Sequence, residues 1–140
     1  MFLNKGHIYN MAFSLWKKGD WAGLEKFMGK GSWPPNRGFA SSSQNILPVG
    51  TKLDRYGGWH DSEGFHDRGT FLSPAGSSFE GRALPDSTKS SPFNTYEVIR
   101  PISVESGPAI PWFGKPGMGI QHEASSSMDN LVNNGYLRRF

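Results

Sequence analysis

Residues 96–104 read YEVIRPISV, and the pattern of this stretch decides the fold class. Its apolar side chains stand an even number of positions apart, which places them on one face of an extended chain. They are Tyr96, Val98, Ile102 and Val104. Pro101 cannot donate a backbone hydrogen bond, so it interrupts the pairing of any strand that contains it. The stretch therefore predicts either an edge strand or two short strands.

The chain on either side predicts further short strands separated by turns. These strands span residues 51–56, 70–73, 119–123 and 136–140. Residues 40–50 are polar and predict a loop. Ser127 is placed to cap a short helix, and Gly135 is placed to end it.

Apolar residues recur at helical intervals over a longer stretch at the beginning of the chain. The apolar positions that share one helical face there are Trp21, Leu24, Phe27 and Met28. Asp20 precedes them as a candidate N-cap. We therefore expect residues 1–30 to form a helical lead-in and residues 31–140 to form the main domain. Helices followed by a mostly antiparallel sheet define an α+β fold.

Composition agrees with many short elements and excludes several kinds of site. The 140 residues include 18 glycines and 10 prolines, which favour turns over a helical bundle. The chain has no cysteine. Disulfides, a thiol nucleophile and cysteine-type zinc sites are therefore excluded.

The charge balance is mildly basic, with 15 Lys and Arg against 12 Asp and Glu. Such an excess suits an anionic small ligand or an acidic protein partner. No long basic run supports nucleic-acid binding. No apolar run approaches the roughly 20 residues of a membrane span, and residues 1–13 lack the pattern of a signal peptide. We expect no stable membrane insertion.

The sequence WHDSEGFHD at residues 59–67 concentrates side chains that could ligate a metal. They are His60, Asp61, Glu63, His66 and Asp67. Their spacing matches no closed metal site, and a solvated hairpin loop is the more common role of such a segment. We predict no metal site here.

Three polar residues stand alone among glycines, prolines and aromatic residues: Arg55 in LDRYG, Arg82 in EGRALP and Gln121 in GMGIQHE. Two arginines can bind a diphosphate, because each guanidinium presents parallel N–H donors. A glutamine can orient a hydroxyl group or a water molecule. Considered alone, each arginine is more commonly a surface ion-pair partner, so this set indicates only an anionic ligand.

Four blocks of sequence, in order, resemble one known family. They are GTKLDRYG (50–57), GTFLSPAGSSFEGRALP (69–85), YEVIRPISVESGPAIPWFGKPGMGIQHE (96–123) and NLVNNGYLRR (130–139). WPPNRGF at 33–39 adds a fifth. The chain from residue 31 to residue 140 resembles the TNT domain, the family of the tuberculosis necrotizing toxin, whose members are NAD glycohydrolases.

The resemblance implies roles for the three polar residues. Arg55 and Arg82 match the arginines of the family that hold the NAD phosphates, and Gln121 matches its glutamine near the nicotinamide ribose. Gln121 and Arg55 are thus the predicted catalytic residues, and Arg82 is a predicted substrate-binding residue. NAD or NADP is the implied substrate, with no cofactor.

The resemblance also implies that aromatic residues bind the substrate. Phe71 matches an aromatic position at the pocket, and Phe39 is a looser match for which a purely architectural role is equally plausible. Tyr56 and Trp112 complete the predicted substrate-binding set. We further expect Gly117 and Gly119 to let the backbone approach the substrate.

The implied fold is a compact, twisted, mostly antiparallel sheet with short peripheral helices, distantly like ADP-ribosylating toxins. The implied biology is a secreted or contact-delivered effector that depletes NAD in the cytoplasm of a target cell. A cognate immunity protein is the expected partner. Two departures from the family pattern, Met118 within the glycine run and His122 after the glutamine, affect the pocket shape.

Two alternatives remain open at this stage. The chain could be an ADP-ribosyltransferase that passes the same sugar to a macromolecule. It could also be a module that binds NAD without hydrolysing it.

Overall fold

The computed structural model describes residues 5–140, and residues 1–4 of the expected lead-in lie outside this part. Its helices are α1 (Lys5–Lys18), α2 (Trp21–Met28) and α3 (Met128–Asn133). Its strands are β1 (Ser43–Leu47), β2 (Lys52–Tyr56), β3 (Trp59–Asp61), β4 (Gly64–His66), β5 (Phe71–Pro74), β6 (Phe93–Val98), β7 (Ile102–Pro108), β8 (Ile120–Ala124) and β9 (Leu137–Arg139). Short 3₁₀ turns occur at Asn36–Gly38, Glu80–Arg82 and Asp86–Ser90.

The stretch 96–104 is divided at Pro101 into β6 and β7, so the prediction of two short strands is confirmed. Neither strand lies at an edge. The sheet order is β1-β7-β8-β5-β2-β6-β9, and every neighbouring pair is antiparallel. β6 and β7 are consecutive in the chain but are separated in the sheet by three other strands. The predicted α+β class with a mostly antiparallel sheet is confirmed.

The alternating apolar face of the sheet forms the main core. The four side chains that predicted the strands are all buried there. α3 covers this face with Met128 and Leu131. The oxygen of Ser127 accepts a hydrogen bond from the backbone N–H of Asn130, which confirms the predicted N-cap.

A second apolar cluster lies under the two N-terminal helices. Leu24 of α2 packs there with Ile110 and Trp112. Asp20 accepts a hydrogen bond from the N–H of Gly23, which confirms the cap of α2. Met28 is exposed, so its expected place on the buried face is wrong. No helix within residues 5–140 is both long and apolar enough to cross a membrane.

The expectation of a loop at residues 40–50 is also wrong, because β1 forms the edge of the sheet there. Its first four residues are exposed, and only Leu47 is buried. A strand without alternation between buried and exposed residues gives no periodic signal, so only its backbone pairing with β7 identifies it. The segment 59–67, in contrast, forms the expected hairpin, β3 and β4, which pair only with each other.

Candidate active site

One cavity lies between the sheet and the loops that precede β1 and follow β5. Its volume is about 340 Å³, which is in the range of small-molecule sites. Its walls are formed by Trp33, Pro34, Arg37, Gly38, Arg55, Phe71, Arg82, Ala83, Leu84, Ala109, Ile110 and Gln121. The structure thus brings together four of the seven predicted site residues, Arg55, Phe71, Arg82 and Gln121. We call this space the central cavity.

Arg55 extends from β2 and is held by hydrogen bonds on three sides of its guanidinium. Nε and Nη2 donate to the two carboxylate oxygens of Asp67, at 2.6 and 3.0 Å. Nη1 donates to the carbonyl oxygen of Phe71 at 2.8 Å. Arg55 therefore reaches the central cavity in one fixed orientation.

Arg82 lies at the end of a 3₁₀ turn and is buried, with 8% of the residue exposed. Its Nη2 lies 2.6 Å from Oδ1 of Asp54 and donates to the carbonyl of Ser77 at 2.7 Å. The contact with Oδ1 is a close ion pair, but its geometry is not that of a hydrogen bond. Nε of Arg82 has no hydrogen-bond partner in the described part of the chain. A buried N–H without an acceptor is costly, so Arg82 is held in this position at some expense of stability.

Gln121 lies on β8 directly opposite Gly107 of β7. Its amide nitrogen lies 3.5 Å from the carbonyl oxygen of Arg37, which is a long contact that leaves the amide free to bind elsewhere. The next residue, His122, faces the opposite side of the strand and bonds through Nδ1 with the hydroxyl of Ser106 at 2.7 Å. Burial lowers the pKa of His122.

The other three predicted residues do not line the central cavity. Phe39 is fully buried, and its ring centre lies 6.0 Å from that of Phe71, so it packs behind the cavity wall. Trp112 is 1% exposed, and its Nε1 donates to the carbonyl of Ser32. The ring of Tyr56 lies 5.1 Å from the guanidinium carbon of Arg82. In this structure these three residues support the wall rather than face the cavity.

The glycines of the loop after Trp112 are required by the protein itself rather than by a ligand. A Cβ on Gly117 would lie 2.7 Å from the backbone of Pro111. A Cβ on Gly119 would lie 2.8 Å from the carbonyl oxygen of Gly81. We expected a substrate to approach these two glycines. In the structure, other segments of the protein backbone pack against them instead.

Trp33 and Arg37 also form part of the wall, although neither was predicted as a site residue. Arg37 adopts a positive φ of 54°, and its Nη2 lies 3.2 Å from Oε2 of Glu105. Its Nη1 also pairs with Glu123. Turn chemistry in WPPNRGF was visible in the sequence, but nothing in it indicated that the turn covers Gln121.

The hairpin of β3 and β4 carries the side chains that could have bound a metal. His66 and Asp61 pair at 2.8 Å, and this contact lowers the pKa of Asp61. Asp67, at the end of the segment, is committed to Arg55. Within the described residues, no group of three or more His, Asp and Glu side chains is arranged to hold a metal ion.

Comparison with known proteins agrees with this arrangement. The conidial surface nicotinamide adenine dinucleotide glycohydrolase of Aspergillus fumigatus is 37% identical in a match that covers 76% of this chain and 48% of the relative. The chain therefore spans about half the length of that relative. The solved structure of tuberculosis necrotizing toxin complexed with its immunity factor has the same fold, with a TM-score of 0.60 and 24% identity, over 76% of this chain and 60% of that one. The family model described as tuberculosis necrotizing toxin matches residues 46–140, and this chain therefore belongs to the tuberculosis necrotizing toxin (TNT) family.

Proposed function

We propose that this chain is an NAD glycohydrolase that cleaves NAD or NADP to nicotinamide and ADP-ribose or its phosphate. The observation that carries the proposal is the meeting of Arg55, Phe71, Arg82 and Gln121 in the central cavity. Two cations and one neutral amide beside an aromatic ring suit a substrate with a diphosphate, a sugar and a flat ring. The relative from Aspergillus fumigatus, which is named for this activity, supports the same assignment.

The chemistry requires few ionisable groups. The bond between C1′ of the ribose and the nicotinamide nitrogen breaks, and its electron pair neutralises the pyridinium, so nicotinamide leaves without a proton from an acid. Water then adds to C1′ and releases one proton to solvent. An enzyme can accelerate this reaction by positioning the substrate and by stabilising the cationic sugar with fixed dipoles.

The residues of the central cavity can divide these tasks. Arg82 and Arg55, which both line the cavity, bind the diphosphate. Gln121 directs its amide toward the ribose and the incoming water, and it does so without changing charge with pH. Phe71 packs against a ring of the substrate. Phe39, Tyr56 and Trp112 hold the wall in place, so their predicted contacts with the substrate become a supporting role.

We also propose the biological setting and the division of the chain. The chain acts as a secreted or contact-delivered effector in the cytoplasm of a target cell, and a cognate immunity protein covers the central cavity. The tuberculosis necrotizing toxin in complex with its immunity factor supports such a partner. The proposed lead-in is residues 1–30, and its α2 braces the loop at Phe113, whose N–H donates to Glu25; residues 31–140 are the proposed catalytic domain.

Incubating the purified protein with NAD tests the proposal. We expect nicotinamide and free ADP-ribose in equal amounts. Release of nicotinamide with ADP-ribose attached to a protein of a lysate would instead identify a transferase. Tight binding of NAD without nicotinamide release would identify a binding module.

A further inference from the structure

Asp67 is the most deeply buried carboxylate in the described part of the chain, with 1% of its surface exposed. The sequence presents it as one of five candidate metal ligands in the segment 59–67, and the proposed reaction gives it no role. Burial of a charge is expensive unless the charge is paired and hydrogen-bonded. The groups that the carboxylate of Asp67 contacts must therefore account for its burial.

The carboxylate of Asp67 is bonded mainly to the guanidinium of Arg55. Oδ2 accepts from Nε of Arg55 at 2.6 Å, and Oδ1 accepts from Nη2 of Arg55 at 3.0 Å and from the N–H of Gly69 at 2.9 Å. This two-point contact fixes the plane of the guanidinium as well as its position. A buried ion pair is weak evidence of a stabilising role, since apolar residues of similar volume often stabilise a core equally well.

Counting donors shows what the pair leaves available. An arginine has five N–H donors. Asp67 accepts two of them, and the carbonyl of Phe71 accepts one from Nη1. One N–H on Nη1 and one on Nη2 remain, and Arg55 lines the central cavity. The ion pair thus leaves two N–H donors in a fixed plane on a guanidinium that lines the cavity, and such donors can bind a phosphate.

Two glycines enclose the same guanidinium. A Cβ added at Gly57 or at Gly69 would overlap Nη2 of Arg55. The chain on both sides of Arg55 therefore leaves room for one orientation of its side chain only.

The backbone of Asp67 is itself anchored to the far end of the chain. Its N–H donates to Oδ2 of Asp129 at 2.9 Å, and its carbonyl accepts from the N–H of Asp129 at 3.0 Å. Oδ1 of Asp129 accepts from Nη2 of Arg139 at 3.1 Å. α3 and β9 thereby hold Asp67 in place, and Asp67 holds Arg55.

We propose that Asp67 is a positioning residue that orients Arg55 toward the diphosphate of the substrate. The proposal rests on the proposed NAD glycohydrolase function, because it assigns the substrate group that Arg55 meets. Asp67 acts only through Arg55 and does not touch the substrate.

A double-mutant cycle tests this role. Asp67→Asn keeps the size of the side chain but removes its charge, and we expect kcat/KM for NAD to fall by about 100-fold, as a small misplacement of a binding group does. Arg55→Ala should lose at least as much. The double variant should be no slower than Arg55→Ala alone, because Asp67 then has nothing to orient. Asp61→Asn, in the exposed hairpin of the same segment, is the matched control and should retain full activity.

Two further variants separate positioning from folding. Gly69→Ala leaves Asp67 intact but displaces the guanidinium, and we expect a comparable loss in a folded protein. If Asp67→Asn does not fold, normal activity of Gly69→Ala still overturns the proposal, because the orientation of Arg55 is then not needed. Arg55→Lys should not rescue activity, since lysine cannot make the two-point contact. Near-normal activity of Asp67→Asn or Gly69→Ala, or losses that multiply in the double variant, would overturn the proposal.

A binding measurement distinguishes failure of the proposal from failure of the proposed function. If the wild type releases no nicotinamide, the glycohydrolase assignment fails, and calorimetric titration with ADP then tests Asp67 directly. Weaker ADP binding by Asp67→Asn than by the wild type would support its positioning role. Equal affinities, or no binding of ADP by the wild type, would overturn it.

Discussion

The side-chain amide of Gln121 on β8 lies 3.5 Å from the carbonyl oxygen of Arg37, in the turn that precedes β1. The turn and the strand are 84 positions apart in the chain. The turn therefore forms a wall over the residue that we expect to act on the ribose. This wall carries an arginine of its own, held by two carboxylates of the sheet.

Replacing Gln121 by alanine should abolish most turnover and preserve the fold. The side chain is partly exposed in the central cavity and makes only a long contact, so its loss leaves no buried group unpaired. Loss of one preorganised dipole at the reacting centre typically costs about 100-fold or more in kcat. Nicotinamide release measures the effect. Gln44→Ala, on the exposed edge strand, is the matched control, and a Gln121→Ala enzyme as fast as that control would refute the assignment.

The two tryptophans of the region should respond differently to alanine. Trp112 is 1% exposed, and its removal should lower the free energy of unfolding by about 3–5 kcal/mol. Trp33 is 64% exposed and contacts Phe113 edge to face. Its removal should cost about 1 kcal/mol or less of stability but should raise KM, because it lines the central cavity. Urea unfolding and steady-state kinetics on both variants check the contrast, which equal stability losses would contradict.

Asp54 should be required for stability as well as for binding. Asp54→Ala would leave the buried guanidinium of Arg82 without its counter-charge, and breaking such a pair costs about 3–5 kcal/mol. Arg138→Ala, which removes an exposed ion pair with Glu97, serves as the comparison and should change stability little. Denaturant midpoints for both proteins provide the measurement. Similar midpoints would show that the buried pair is not needed.

Loss of Arg37 should weaken substrate binding more than it weakens the fold. Glu105 and Glu123 stand directly opposite each other on β7 and β8, and Arg37 bridges them. Without this bridge the two carboxylates repel each other, and the wall at 33–38 loses its side-chain attachment to the sheet, although the backbone of Gly38 still bonds to Ile110. We expect Arg37→Ala to raise KM several-fold with a smaller change in kcat. Arg100→Ala, on the exposed contact with Tyr136, should leave KM unchanged.

Stability should decline as the pH falls below neutrality, and His122 should account for part of the decline. Burial lowers the pKa of His122 below its ordinary value of about 6.5, so near that pH the unfolded chain binds a proton that the folded protein does not. The stabilisation is present above about pH 6.5 and is lost as the pH falls toward the folded-state pKa. Unfolding free energies at about pH 7.5 and about pH 5.5 should differ less in His122→Gln than in the wild type. His60→Gln, in the exposed hairpin, should keep the full difference.

The elements found from the sequence are those whose side chains alternate between core and solvent or whose caps are local. Tyr96 and Val98 identified β6, and Asp20 and Ser127 marked the helix starts, because each signal lies within a few residues. β1 was missed because four of its five residues are exposed, so it shows no alternation between core and solvent, and only its partner β7 defines it.

The sequence likewise predicted one part of the candidate site and missed another. The family pattern indicated Arg55, Arg82 and Gln121, which the structure places around one cavity. The pattern could not show that Asp67 holds Arg55, because that contact joins residues 12 positions apart on either side of the β3–β4 hairpin. Nor could it separate an aromatic residue that lines a cavity from one that supports it, since Phe71 and Phe39 differ only in their depth below the surface.

The anchoring of Asp67 by Asp129 and Arg139 has a consequence for the nascent chain. Translation produces β2 and Arg55 well before α3 and β9, and domains fold as their chain emerges. Until residues 121–139 emerge from the ribosome, Arg55 has no fixed carboxylate, Gln121 is absent and the sheet lacks β8 and β9. The candidate site is therefore incomplete while the preceding residues are synthesised, and it can form only after β8, α3 and β9 have been made.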